Sequence, residues 1–204
     1  MRAKICGIKN HQDAKFSADH GAWAIGFNFY SKSPRYISET LARSIMKTTP
    51  NHVLKIGIVP FIAAEEIEPF MYQMELDVLQ VYEDVDVEPF VKRKMVLALC
   101  VDSTDELPRK EILEQYGYLL LDAPRSTNAL IGGTGRLSNW DIAHCLSQSY
   151  RLILAGGLTP HNVKKAIQTV HPFAVDVASG VESYLGKKSP ILMKQFLSEV
   201  NDVT

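Results

Sequence analysis

Residues 151–180 read "RLILAGGLTPHNVKKAIQTVHPFAVDVASG", a whole structural repeat in one short stretch. The run RLILA (151–155) is apolar and breaks at a glycine pair followed by Thr159-Pro160. Val163, Ala166, Ile167 and Val170 then fall at i, i+3, i+4 and i+7, the stripe of an amphipathic helix. Thr159 and Pro160 supply an N-cap and a first helical position. The second apolar run, FAVDVAS (173–179), follows directly. Strand, helix and strand so closely spaced predict a unit of parallel sheet.

The same pattern extends outward along the chain. Short runs rich in Val, Ile, Leu and Phe recur at 3–6, 22–29, 53–59, 77–82, 95–101 and 118–123. Their length and lack of polar alternation suit strands buried on both faces. Between them, 63–74 carries Ile67, Phe70, Met71 and Met74 at helical spacing, with Pro69 in the first turn or at a kink. The segment 189–200 opens with Ser189-Pro190 and continues with Leu192, Phe196 and Val200. The intervals 84–92 and 102–114 each hold a proline and read as short helices or loops. Eight such repeats in 204 residues average about 25 residues each, which suits a single-domain, compact, parallel eight-stranded (β/α)8 barrel, the TIM barrel of the α/β class. An open doubly wound sheet is the alternative. No linker, charge block or low-complexity tract divides the chain, so residues 1–204 are expected to form one domain.

Bulk properties narrow the function classes. Apolar residues make up 46%, charged residues 22%, and the formal net charge is −1. That balance argues against nonspecific binding to nucleic acid or an acidic membrane, which needs a basic excess. No apolar run approaches the roughly 20 residues of a membrane span, and no signal peptide precedes the first strand. Cys6, Cys100 and Cys145 are far apart in sequence and form no CxxC pair, the pattern of reduced thiols in a cytoplasmic protein. The six histidines show no metal-ligand spacing, so no metal site is expected.

In such barrels the active site lies at the C-terminal ends of the strands, and this chain collects its glycines and polar residues there. Cys6-Gly7 follow the first run, and Arg35 lies in the loop "YSKSPRYI" (30–37) after the second. Asp122 closes a run of three leucines, where a carboxylate is costly unless paired or functional. Such surroundings raise its pKa and suit it to donate a proton. Gly156 and Gly157 after the seventh run, and Ser179 and Gly180 after the eighth, read as a phosphate cradle. The "GGTG" at 132–135 is either a lid or a ligand contact.

These stretches together, "KICGIKN", "GFNFYSKSPRYI", "LLLDA" with "GGTG", "LAGGLTPHNV" and "VDVASGVES" in that order, resemble phosphoribosylanthranilate isomerase from residue 4 to about 188. The resemblance implies a cofactor-free Amadori rearrangement of N-(5′-phosphoribosyl)anthranilate in tryptophan biosynthesis. It implies that Asp122 is the general acid, Cys6 the general base, and Arg35 the holder of the anthranilate carboxylate. The partner implied is a small phosphoribosyl molecule, with a monomer or homodimer both open. Another phosphosugar isomerase or lyase on the same barrel, and a silent phosphate-ligand binder, are the rival readings.

Two details refine these expectations. By period-two alternation Lys4 shares a face with Cys6. The eighth strand, carrying Asp176, closes beside the first, so a Lys4–Asp176 pair is expected, either tuning the thiol or serving structure alone. Gly7 is expected to leave room for a sugar above that thiol. Departures from the family pattern are Tyr82-Glu83 where His-Gly is usual, Trp23 in place of an acid, "SNW" (138–140) for aromatic-Asp-Trp, and Ser189 for Asp. Glu83 is expected to point outward.

Overall fold

The computed structural model describes residues 1–124 and 137–203. Eight parallel strands close into a barrel in sequence order: β1 (Arg2–Cys6), β2 (Ala24–Asn28), β3 (Leu54–Ile58), β4 (Val78–Val81), β5 (Met95–Leu99), β6 (Tyr118–Leu121), β7 (Leu152–Leu154) and β8 (Ala174–Val177). β1 pairs with β8, Lys4 opposite Asp176, which closes the ring and rules out the open sheet. The helices between them are α1 (His11–Asp19), α2 (Glu39–Thr48), α3 (Ala64–Gln73), α4 (Pro89–Lys92), α5 (Lys110–Leu113), α6 (Trp140–Ser147), α7 (Val163–Val170) and α8 (Pro190–Asn201). A small antiparallel hairpin, β9 (Glu182–Tyr184) with β10 (Lys187–Lys188), precedes α8.

The apolar residues divide into two sets because alternate residues of a barrel strand face opposite ways. One set, including Ile5, Ile25, Phe27, Leu79, Leu97, Leu121 and Val175, packs outward against the helices. The other fills the barrel itself: Ala24, Ile56, Val78, Val96, Ala98, Leu120, Ile153 and Ala174. The N-terminal end is plugged by Trp23, whose ring lies 5.9 Å from Tyr118 and 5.7 Å from Phe173. Arg2 stacks over Phe173 at 4.2 Å. Trp23 therefore replaces the family's usual acid at the stability face, far from the strand ends that carry chemistry.

Helix boundaries follow their caps. Ser189 Oγ accepts from Leu192 N–H and Pro190 takes the first position, as expected for α8. Asn139, standing where the family has Asp, accepts from the N–H groups of Asp141 and Ile142 and starts α6. The start of α7 differs from expectation. Asn162, rather than Thr159, stands at the N-cap, and residues 159–162 form a turn. The reason is local: Asn162 Oδ1 accepts from Thr159 N–H at 2.8 Å while its amide donates to Gly157 O at 2.9 Å. That ring of bonds holds Thr159-Pro160 in the loop. The two weak intervals yield only the four-residue α4 and α5 with a 3₁₀ turn at Thr104–Glu106.

Candidate active site

Period-two alternation brings one residue from the end of nearly every strand to the barrel mouth. Cys6, Asn28, Ile58, Gln80, Tyr82, Leu120, Asp122, Asp176 and Ala178 line one cavity, and Arg35 closes its side. An adjoining cavity shares Asp122, Asp176 and Ala178 and runs on to Gly156, Gly157 and Ser179. Residues far apart in sequence thus form one continuous site. Gly180 packs directly against the Leu158 carbonyl, where any Cβ would collide, so the loops after β7 and β8 touch. The "GGTG" at 132–135 lies outside the described residues.

Beneath the mouth runs a buried polar chain. Lys4 is fully buried, and its Nζ donates to Asp176 Oδ1 at 2.9 Å and to Gln80 Oε1 at 3.2 Å. The Gln80 amide in turn donates to Tyr82 Oη at 3.3 Å. Burial works against the Lys4 ammonium, but the Asp176 carboxylate and the Cys6 sulfur together outweigh it and hold the Lys4 pKa above its ordinary value. The expected Lys4–Asp176 pair is present.

Its expected effect on Cys6 is only partial. Gly26 leaves space for the thiol, since a Cβ there would stand 3.1 Å from Sγ. Burial pushes the Cys6 thiol above its ordinary value, and the Lys4 charge pulls it back without cancelling the rise. Asp122 behaves as expected: burial raises its pKa to about 6, opposed by the Ala123 N–H that donates to Oδ1 at 2.8 Å.

Arg35 is buried, and its guanidinium grips Glu182: Nε donates to Oε1 at 2.7 Å and Nη2 to Oε2 at 2.9 Å. Its stem crosses Gly7, whose φ is +78°; a Cβ there would lie 2.7 Å from Arg35 Cδ. The space beside Gly7 thus belongs to the arginine rather than to a sugar. Gly156 and Gly157 both have positive φ, +83° and +61°, a sharp turn that side chains resist. It brings Gly156 against Ser138, whose hydroxyl donates to Ala155 O at 2.7 Å.

Of the departures, Tyr82 faces the cavity, and burial holds its phenol well above the usual tyrosine range. Glu83 is exposed and borders a separate surface cleft with Pro60 and Phe61. Sequence reading missed Gln80, Glu182 and Lys188 as members of the site. Gln80 did carry a signal, a lone amide inside the apolar run DVLQVY. No group of three or more His, Cys, Asp or Glu side chains suited to a metal occurs among the described residues.

Comparison with known proteins shows what the chain and its fold resemble. A family model described as N-(5′-phosphoribosyl)anthranilate isomerase matches residues 3–199. The N-(5′-phosphoribosyl)anthranilate isomerase of Thermotoga neapolitana is 39% identical over 204 residues, covering 98% of each chain. A solved phosphoribosylanthranilate isomerase in complex with reduced 1-(o-carboxyphenylamino)-1-deoxyribulose 5-phosphate superposes with a TM-score of 0.80 at 33% identity over 99% of both chains. The structure of monomers of the dimeric enzyme from Thermotoga maritima gives a TM-score of 0.78 at 32% identity over 99% of both.

Proposed function

The chain belongs to the N-(5′-phosphoribosyl)anthranilate isomerase family, and on that premise we propose how its own residues divide the work. The reaction is the Amadori rearrangement of N-(5′-phosphoribosyl)anthranilate to 1-(2-carboxyphenylamino)-1-deoxyribulose 5-phosphate, a step of tryptophan biosynthesis. Asp122, with its carboxyl raised to about 6, donates a proton to the ribose ring oxygen. The C1′–O bond breaks and a protonated Schiff base forms. Cys6, as thiolate, removes the C2′ proton. The electron pair moves to the iminium, and the resulting enolamine tautomerises to the ketone.

The observation that carries this reading is that Cys6 and Asp122, ending opposite parts of the strand ring, face one cavity whose wall includes Arg35. A thiol held high needs help to ionise, and cations supply it. Lys4, Lys188 and Arg35 are already in place, and the iminium adds a further positive charge beside the proton to be removed. Arg35 holds the anthranilate carboxylate by charge-assisted hydrogen bonds. Gly156, Gly157, Ser179 and Gly180 hold the phosphate at the other end of the site.

We read residues 1–204 as one barrel domain. Among the described residues no helix is long and apolar enough to cross a membrane. A cytoplasmic location rests on three scattered cysteines not joined by a disulfide. The oligomer is a monomer or homodimer, as the dimeric relative from Thermotoga maritima suggests.

A fluorescence assay of phosphoribosylanthranilate consumption tests the assignment. Asp122→Asn is expected to abolish turnover while still binding the reduced product analogue. Cys6→Ser is expected to lower turnover by about 10²–10⁴-fold, the usual contribution of a general base. Near-full activity of Cys6→Ser would return that cysteine to a packing role.

A further inference from the structure

Glu182 stands outside the proton transfers, yet it meets Arg35 through the best-formed ion pair of the site. Its carboxylate, 3% exposed, opens β9. Besides the two bonds from Arg35 it accepts from Lys188 Nζ at 3.0 Å and from Gly186 N–H at 3.1 Å. Four donors occupy a group with about four lone-pair sites, so the carboxylate is fully satisfied. Arg35 is not: the bonds to Glu182 use its Nε–Nη2 edge, and among the described residues no hydrogen bond engages Nη1.

The charges point the same way. Two buried cations, Arg35 and Lys188, share one buried anion, Glu182. The cluster therefore keeps one positive charge beside the cavity. Burial opposes the Glu182 carboxylate, but Arg35 and Lys188, with the Gly186 N–H, hold it below the ordinary glutamate value.

The hairpin has anchors besides the Glu182 carboxylate. Lys188 Nζ donates to Ala178 O at 2.8 Å, and Ser189 N–H donates to Val181 O at 2.8 Å. Glu182 also lies two residues beyond Gly180. One short segment thus carries the phosphate cradle and grips the arginine at the opposite end of the substrate.

We propose that Glu182 is the positioning residue for carboxylate recognition: it locks one edge of the Arg35 guanidinium so that the Nη1 side meets the substrate's aryl carboxylate at a set distance from the phosphate loop. The inference rests on the reading of Arg35 as the carboxylate holder.

The test compares two ligands by calorimetry: reduced 1-(o-carboxyphenylamino)-1-deoxyribulose 5-phosphate and the same compound lacking the carboxyl group. The parent, Glu182→Gln, Arg35→Met and the double variant are titrated with each, and kcat and KM are measured beside them. Glu182→Gln is expected to lose about tenfold or more of the preference for the carboxylated ligand, as a loosened clamp does. Its KM rises while kcat changes little, and its affinity for the decarboxylated ligand is kept. The double variant binds no worse than Arg35→Met, because both changes remove one interaction. Glu182→Asp, too short to span both nitrogen donors, reads the same ratio if the glutamine variant does not fold. Full preference retained by the Glu182 variants, with preference lost in Arg35→Met, overturns the inference and leaves the Arg35 reading standing. Preference retained in Arg35→Met overturns both.

Discussion

At Cys6 two opposing effects meet on one sulfur. Removal from water disfavours the thiolate, and the Lys4 ammonium favours it; the first prevails in the free protein. Alkylation of Cys6 by iodoacetamide, followed by peptide mass spectrometry across pH, is therefore expected to show a midpoint above that of an ordinary thiol. Lys4→Met should move the Cys6 midpoint further up; an unchanged midpoint would remove Lys4 from the tuning of the thiol. Asp122 gives a second pH signature. Its carboxyl is held at about 6 against 3.8 when unfolded. The folded state thus prefers the proton, and this contribution is whole below about pH 4 and lost as pH rises through about 6. In chemical denaturation the parent should lose up to about 3 kcal/mol relative to Asp122→Asn between those limits. Both residues were legible in sequence as polar groups ending apolar runs. The direction of the thiol's shift was not, because burial depends on what the other seven strands place around it.

The elements were read with unequal success, and local physics accounts for the difference. Strands declared themselves because most of their residues are buried, on one side by the helices and on the other by the barrel filling. α8 was legible because Ser189 and Pro190 are strong start signals whose partners lie within one turn. Ser189→Ala should cost about 1 kcal/mol in urea denaturation, the usual value of an N-cap. The start of α7 misled because Thr159-Pro160 carries the same signal, while the competing Asn162 side chain bonds forward and backward around it. The β9–β10 hairpin gave no apolar run at all. It turns at Gly186, with φ of +80°, and is held to the barrel by Lys188 and Ser189. Gly186→Ala should loosen that hairpin, because the left-handed backbone resists a side chain and its Cβ would sit 2.7 Å from Pro34 O. The expected readout is a raised KM with the thermal midpoint changed by a few degrees at most.

Across the whole molecule, closure of the ring turns separate strand ends into one site. Lys4 on β1, Gln80 on β4 and Asp176 on β8 join across the barrel, beneath the cavity that holds Cys6, Tyr82 and Asp122. Lys4→Met leaves the Asp176 carboxylate buried without its cation and should cost roughly 3–5 kcal/mol by urea denaturation. Replacing Lys4 and Asp176 together by apolar residues should cost less than Lys4→Met alone. The sequence by itself determined the eight repeats, their order and the polar residues that end them, because strand and helix periodicities are written within a few residues of each other. Only the tertiary structure decided between the closed ring and an open sheet, showed Arg35 gripped by Glu182 across 147 residues, and showed Gln80 joined to Lys4 across 76. Contacts at such separations leave no local pattern. They exist because the twist and stagger of the strands bring the first beside the last.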